Sequence, residues 1–175
     1  WMRKYSNLVK GLEITRPEQV WVSDITYIRL TNQWGYLSLI TDAYSRKIVG
    51  YDICNSLELS GCMRALKMAL RQLPKGHQLI HHSDRGIQYC SNAYIELLKQ
   101  NKVQISMAAK GNCYENAMAE RVNGILKDEF YLDQNFKTTD IAIKYTRQAV
   151  NLYNNVRTHM AIGYVTPNEK HNNAA

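Results

Sequence analysis

The chain has 175 residues, 45% hydrophobic and 21% charged, a globular composition that excludes disorder along most of its length. No apolar run reaches the roughly 18 residues of a membrane span, and the start lacks an apolar signal core, so a cytoplasmic protein without a membrane partner is expected. Its 22 Lys and Arg against 15 Asp and Glu give a net charge of +7, concentrated in residues 1–75, which suits either a polyanion partner or a merely solvated surface.

Residues 1–19 read as irregular, with Pro17 as a breaker, and Trp1 in place of an initiator Met suggests a stretch of a longer protein. Three strand-like runs follow at Val20–Leu30, Trp34–Ala43 and Lys47–Cys54. Their links, Thr31-Asn32-Gln33 and Tyr44-Ser45-Arg46, are too short for helices, so the runs pair antiparallel. Residues 58–73 switch to helical spacing, with Leu59, Met63, Leu66 and Leu70 on one side, and stop before Pro74-Lys75-Gly76.

A short strand over 78–82, a helix over 92–101 capped by Ser91 and a short strand at Val103–Ser106 come next. A glycine-containing loop at 108–113 leads into a helix over roughly 115–130. A last helix opens at Thr138 or Thr139 and runs to about 155, with Ile141, Tyr145, Leu152 and Val156 as its apolar stripe. Residues 168–175 read as a polar tail.

Three antiparallel strands followed by strand–helix repeats predict an α/β architecture, a mixed five-stranded sheet flanked by helices in the order of the RNase H-like fold. The expected organisation is an irregular segment over 1–19, a core with its C-terminal helix over 20–170 and a polar tail over 171–175. Cys54, Cys62, Cys90 and Cys113 are scattered, and with no CxxC pair and no zinc spacing among the five His they read as reduced thiols.

Three carboxylates stand out. Asp24 sits inside the strongest β-type run, where Asp is depleted and needs a hydrogen-bonding or cationic partner. Asp84 closes the fourth strand as a Gly-containing turn begins, at the sheet edge where α/β proteins place ligands. Glu120 shares a polar helix stripe with Asn116, Asn123 and Lys127, while Met118, Val122, Ile125 and Leu126 form the expected core face. Taken singly, each has a plain structural alternative. Together, carboxylates from adjacent strands and a nearby helix can share divalent cations that offset their mutual repulsion. Hard oxygen ligands suit Mg²⁺ or Mn²⁺, and two such ions support phosphodiester chemistry.

The residues then resemble a known family. Trp21-Val-Ser-Asp-Ile-Thr-Tyr-Ile28, Ile40-Thr-Asp-Ala-Tyr-Ser-Arg-Lys-Ile-Val-Gly50, His82-Ser-Asp-Arg-Gly-Ile-Gln-Tyr89 and Lys110-Gly-Asn-Cys-Tyr-Glu-Asn-Ala117 match segments of bacterial insertion-sequence transposase cores of the retroviral-integrase, or DDE, type. So do Ala119-Glu120, Lys127-Asp-Glu129, Tyr153-Asn154, Arg157, His159 and Gly163-Tyr-Val-Thr-Pro167, in order and over nearly the whole chain. The 35 residues between Asp84 and Glu120 are the family's spacing.

The resemblance implies that Asp24, Asp84 and Glu120 are the catalytic, metal-binding triad, holding two Mg²⁺ with Mn²⁺ as a substitute. It implies DNA contacts at Lys127, Asn116, Asn123, His82, Gln88, Lys110 and Arg157, with a packed-strand alternative for His82, and a structural role for Asp42. The loop at 108–113 corresponds to the family's mobile active-site loop. Thr158 departs from the family, which has Pro between the Arg and His, and residues 1–19 cannot form the helix-turn-helix segments that normally lie upstream.

The implied activity is cleavage at element ends and strand transfer into target DNA, without a small-molecule substrate and with a homodimer or higher multimer as the working form. The alternatives are a stand-alone RNase H-like nuclease and a catalytically silent DNA-binding or multimerising remnant.

Overall fold

The computed structural model describes residues 4–108 and 117–174. Strands β1 (Val20–Leu30), β2 (Gln33–Asp42) and β3 (Ile48–Cys54) form an antiparallel meander. On its other side β1 pairs in parallel with β4 (Ile80–Ser83), which pairs in parallel with β5 (Gln104–Met107), so the sheet order is β3-β2-β1-β4-β5. The predicted mixed five-stranded sheet is the observed one.

Alternation along β1 builds a core on each face. Trp21 packs with helices α1 (Leu59–Leu70) and α2 (Asn92–Gln100), whereas Ile28 and Leu30 pack with α3 (Ala117–Asp128) and α4 (Thr139–Asn155). Ser91 caps α2 by accepting from Tyr94 N at 3.3 Å, and Thr138 caps α4 by accepting from Ile141 N at 3.3 Å, so the predicted helix starts hold. Helix α1 lies so close to β3 that a Cβ on Gly50 would sit 2.3 Å from the Ala65 carbonyl oxygen. Only glycine permits that approach.

Three expectations are corrected. The α4 stripe of Ile141, Tyr145, Leu152 and Val156 is exposed, Val156 to 64%. The buried face is instead Ala142, Thr146, Ala149, Val150, Tyr153 and Asn154, because small side chains let the helix approach the sheet while Tyr153 and Asn154 meet backbone there. Asn154 shows this directly: its amide accepts from Ile48 N at 2.9 Å and donates to Ile48 O at 3.0 Å, pairing with edge strand β3.

On α1, Leu66 is fully buried but Leu59, Met63 and Leu70 lie at the margin of a contact made by Cys62, Ala65 and Ala69. Finally, the polar tail contains a helix, α5 (Pro167–Asn172), with a capping box between Thr166 and Glu169. Its residue His171 points inward, with Nε2 3.0 Å from Glu18 Oε1 and Nδ1 2.9 Å from Ser45 Oγ.

Residues 4–19 carry no regular element, as expected, yet they are tied to the β5 edge by Leu8 N donating to Ser106 Oγ at 2.8 Å. No helix among the described residues is long and apolar enough to cross a membrane.

Candidate active site

The parallel register of β1 and β4 ends at Ser23 opposite Ser83, so Asp24 and Asp84 are the next residues along two neighbouring strands. Asp24 remains in β1, partly buried, whereas Asp84 leaves its strand into an exposed turn and accepts a hydrogen bond from Gly86 N at 2.8 Å on Oδ1. Helix α3 packs over the same sheet face through Val122, Ile125 and Leu126. That packing brings Asn123 Nδ2 to 2.7 Å from Asp24 Oδ2, which accepts its hydrogen bond. Glu120 stands one turn earlier on α3 and is exposed.

The electrostatics tie the three carboxylates together. Burial pushes the Asp24 carboxyl up to about 6, and the negative charges of Asp84 and Glu120 push the same way. The Ile25 backbone N–H and the Asn123 amide oppose the rise without cancelling it. A site that raises one acid against two others has the donor chemistry for a hard divalent cation. Among the described residues no group of three His, Cys, Asp or Glu is gathered closely enough to enclose a metal ion.

The other predicted site residues take varied positions. Asn123 is 7% exposed, so it belongs to the interior beside Asp24 rather than to the polar outer stripe predicted for it. Lys127 is half-buried in the last turn of α3. His82 is fully buried in β4 with Nδ1 2.8 Å from Ser106 Oγ, and Gln88 is buried with its amide donating to Leu57 O at 2.6 Å. Arg157 is paired in a fork with Glu129, at 2.5 and 2.6 Å. Asn116, Lys110 and the 108–113 loop beyond Ala108 lie outside the described residues.

Asp42 is structural in its surroundings: fully buried, it accepts hydrogen bonds from Glu18 N, Ser45 N and Ser45 Oγ, each at 2.8 Å. Sequence reasoning missed two arginines, Arg46 and Arg121, that converge on the opposite flank of α3. Nothing local to either residue marks it; their convergence is tertiary.

Comparison with known proteins bears on family and fold. An Integrase core domain model matches residues 14–113, and a second Integrase core domain model matches residues 101–167. The transposase for insertion sequence element IS629 of Shigella sonnei is 36% identical over 155 residues, covering 88% of this chain and 52% of that protein. Transposase InsF for insertion sequence IS3A of Escherichia coli (strain K12) is 34% identical over 157 residues, covering 89% of this chain and 54% of that one.

This chain therefore spans about half the length of those relatives. Among solved structures, a simian T-cell lymphotropic virus intasome chain superposes with a TM-score of 0.77 at 20% identity, over 98% of this chain and 59% of that chain. The HTLV-2 integrase catalytic core domain, in complex with magnesium in a dimeric form, gives 0.68 at 20% identity, over 89% of this chain and 97% of that one. At such identity these two establish the fold, which is the RNase H-like fold of retroviral integrase cores. With family models covering its length, and with insertion-sequence transposases similar to it along nearly nine-tenths of the sequence, this chain belongs to the integrase core domain family.

Proposed function

We propose that this chain is the catalytic core of a DNA transposase that cleaves phosphodiester bonds at element ends and joins them to target DNA. The observation that carries the reading is Asp24: a strand carboxylate, held by Asn123 on one oxygen and pressed by the charges of Asp84 and Glu120. Asp24 and Asp84 would hold Mg²⁺, and Glu120 would join them by turning its exposed side chain. Bound there, two such ions supply Lewis-acid activation of the attacking oxygen and charge stabilisation at the leaving one.

The remaining work falls to the chain. Asn123 orients the Asp24 carboxylate from the interior. β1 and β4 set the separation of the two aspartates, and α3 carries Glu120 on the same rigid framework. Fixed carboxylates spare the reaction the reorganisation that flexible ligands would require. The attacking group is water in cleavage and a DNA 3′-hydroxyl in joining, so no covalent protein intermediate forms. Because two element ends must be held at once, a homodimer or higher multimer belongs to the same reading. The HTLV-2 core supports it, being described with magnesium and as a dimer.

The test is incubation of the chain with labelled element-end DNA that offers a free 3′-hydroxyl, with Mg²⁺ or Mn²⁺. Joined products are expected, and Asp24→Asn, Asp84→Asn and Glu120→Gln should each abolish them with the fold retained. Cut but unjoined DNA would favour a nuclease, and metal-independent binding without products would favour a silent remnant.

A further inference from the structure

A groove of about 610 Å³ opens on the flank of α3 that faces away from the carboxylates. Met118, Arg121 and Ile125 line it from α3, and at about 100° per residue Met118 and Ile125 lie roughly opposite Glu120 around the helix. Its other walls come from Arg46 in the β2–β3 turn, Tyr153 on α4 and the segment 157–164.

The charges there are unbalanced. Arg157 is neutralised by its fork to Glu129, and no carboxylate is among the described residues that line the groove. Arg121 is exposed, and neither it nor Arg46 has an ion-pair partner among the described residues. Arg46 is half-buried: its guanidinium rests on Met118 Sδ, and burial lowers its pKa. Burial outweighs the attraction of the more distant Asp42 carboxylate, so an anion in direct contact with this guanidinium would offset its desolvation.

A second observation is independent of these cations. His159 lines the same groove, is 8% exposed and stacks edge-on to Tyr153 at 4.9 Å, yet its Nε2 is buried with no hydrogen-bond partner among the described residues. At the rim, Met160 and Tyr164 are 73% and 69% exposed. Two guanidinium forks, a neutral ring nitrogen and an exposed aromatic ring suit a phosphodiester whose base or sugar lies on the aromatic.

We infer that the groove formed by Arg46, Arg121 and His159 binds the phosphate backbone of a DNA strand, on the side of α3 away from the catalytic carboxylates. The choice of DNA as the source of the phosphate rests on the proposed function; the anion site itself does not. A strand held there is gripped independently of the triad, which gives the protein a second DNA contact on the same helix.

The test is fluorescence anisotropy of this chain with a labelled single-stranded 20-mer across a salt series, in EDTA so that no metal contributes. Arg121→Gln, a change at an exposed position, and Arg46→Gln, checked for folding by circular dichroism, should each weaken binding several-fold. Each should also flatten the slope of log K against log salt by about 0.7, the value for one phosphate no longer neutralised on a single strand. Lys99→Gln on α2, across the sheet, removes one distant surface charge and should leave affinity and slope unchanged. Unchanged slopes in both arginine variants overturn the inference. So does calorimetric binding of inorganic phosphate that the variants abolish while DNA binding keeps its slope, which reassigns the groove to a free anion. Failure of the transposase reading looks different: no Mg²⁺-dependent products from the wild-type chain, with the arginine effects on DNA binding intact.

Discussion

Asn123 donates a 2.7 Å hydrogen bond to Asp24 Oδ2 from a position only 7% exposed, while its own Oδ1 is buried with no partner among the described residues. A neutral donor of this kind fixes the direction of a carboxylate without neutralising it. The other carboxylate oxygen and most of the negative charge remain available to a cation. Groups that orient metal ligands from behind act in this way.

Asn123 is accordingly a positioning residue. Asn123→Ala should lower strand transfer about 10–100-fold and raise the Mg²⁺ concentration needed for half-maximal rate, with Mn²⁺ restoring part of the activity. Asn123→Asp should do worse, because it adds a like charge beside Asp24. A titration of rate against Mg²⁺ separates this role from a simple DNA contact, which would alter DNA affinity and leave the metal requirement unchanged.

The raised Asp24 carboxyl bears on stability. A buried acid held at about 6, against 3.8 when unhindered, favours its protonated form in the fold. That contribution is fully present below 3.8 and is lost as the pH rises through 6, leaving the metal-free chain destabilised at neutral pH by on the order of 2–3 kcal/mol. Asp24→Asn should therefore raise the Tm at pH 7.5 in EDTA. Added Mg²⁺ should raise the Tm of the wild-type chain and leave that of Asp24→Asn unmoved. Differential scanning fluorimetry reads both effects; equal Mg²⁺ shifts in the two proteins would remove Asp24 from the metal site.

His171 carries a pH dependence of opposite origin. Burial alone would lower its pKa, but the carboxylates of Asp42 and Glu18 outweigh that and raise it to about 9 from 6.5. A cation with a raised pKa contributes stability that is fully present below 6.5 and is lost as the pH rises through 9. After solvent screening the pairing is worth about 1 kcal/mol, so the Tm should fall by about 2–4 °C between pH 6.5 and 9.5. Thermal melts of His171→Gln should lack this fall. An identical pH profile in wild type and variant would mean that α5 docks through packing alone.

Strand order and the carboxylate spacing were legible in the sequence for local reasons. Short links force antiparallel pairing of the first three strands, and Ser91 and Thr138 announce their helices by side-chain chemistry that acts within three residues. Asp24 was conspicuous because a strand is a poor place for an unpartnered carboxylate. The structural reading of Asp42 came from the family resemblance, and its hydrogen bonds from Glu18 N, Ser45 N and Ser45 Oγ belong to the folded state.

Which face each helix buries was decided only by tertiary contact. Hydrophobicity alone selects Ile141, Tyr145, Leu152 and Val156 for the core of α4, yet the sheet edge requires an amide at Asn154 for Ile48 and small residues at Ala142 and Ala149 for close approach. Asn123 turns inward because a buried Asp24 needs a donor there, a demand arising 99 residues away. His171 is read as tail until Glu18 and Asp42 come to meet it. The sequence alone determined the elements, since these depend on neighbours along the chain, and its family resemblance singled out the candidate triad; the partners of each side chain depend on neighbours in space, and those exist only once the sheet has closed.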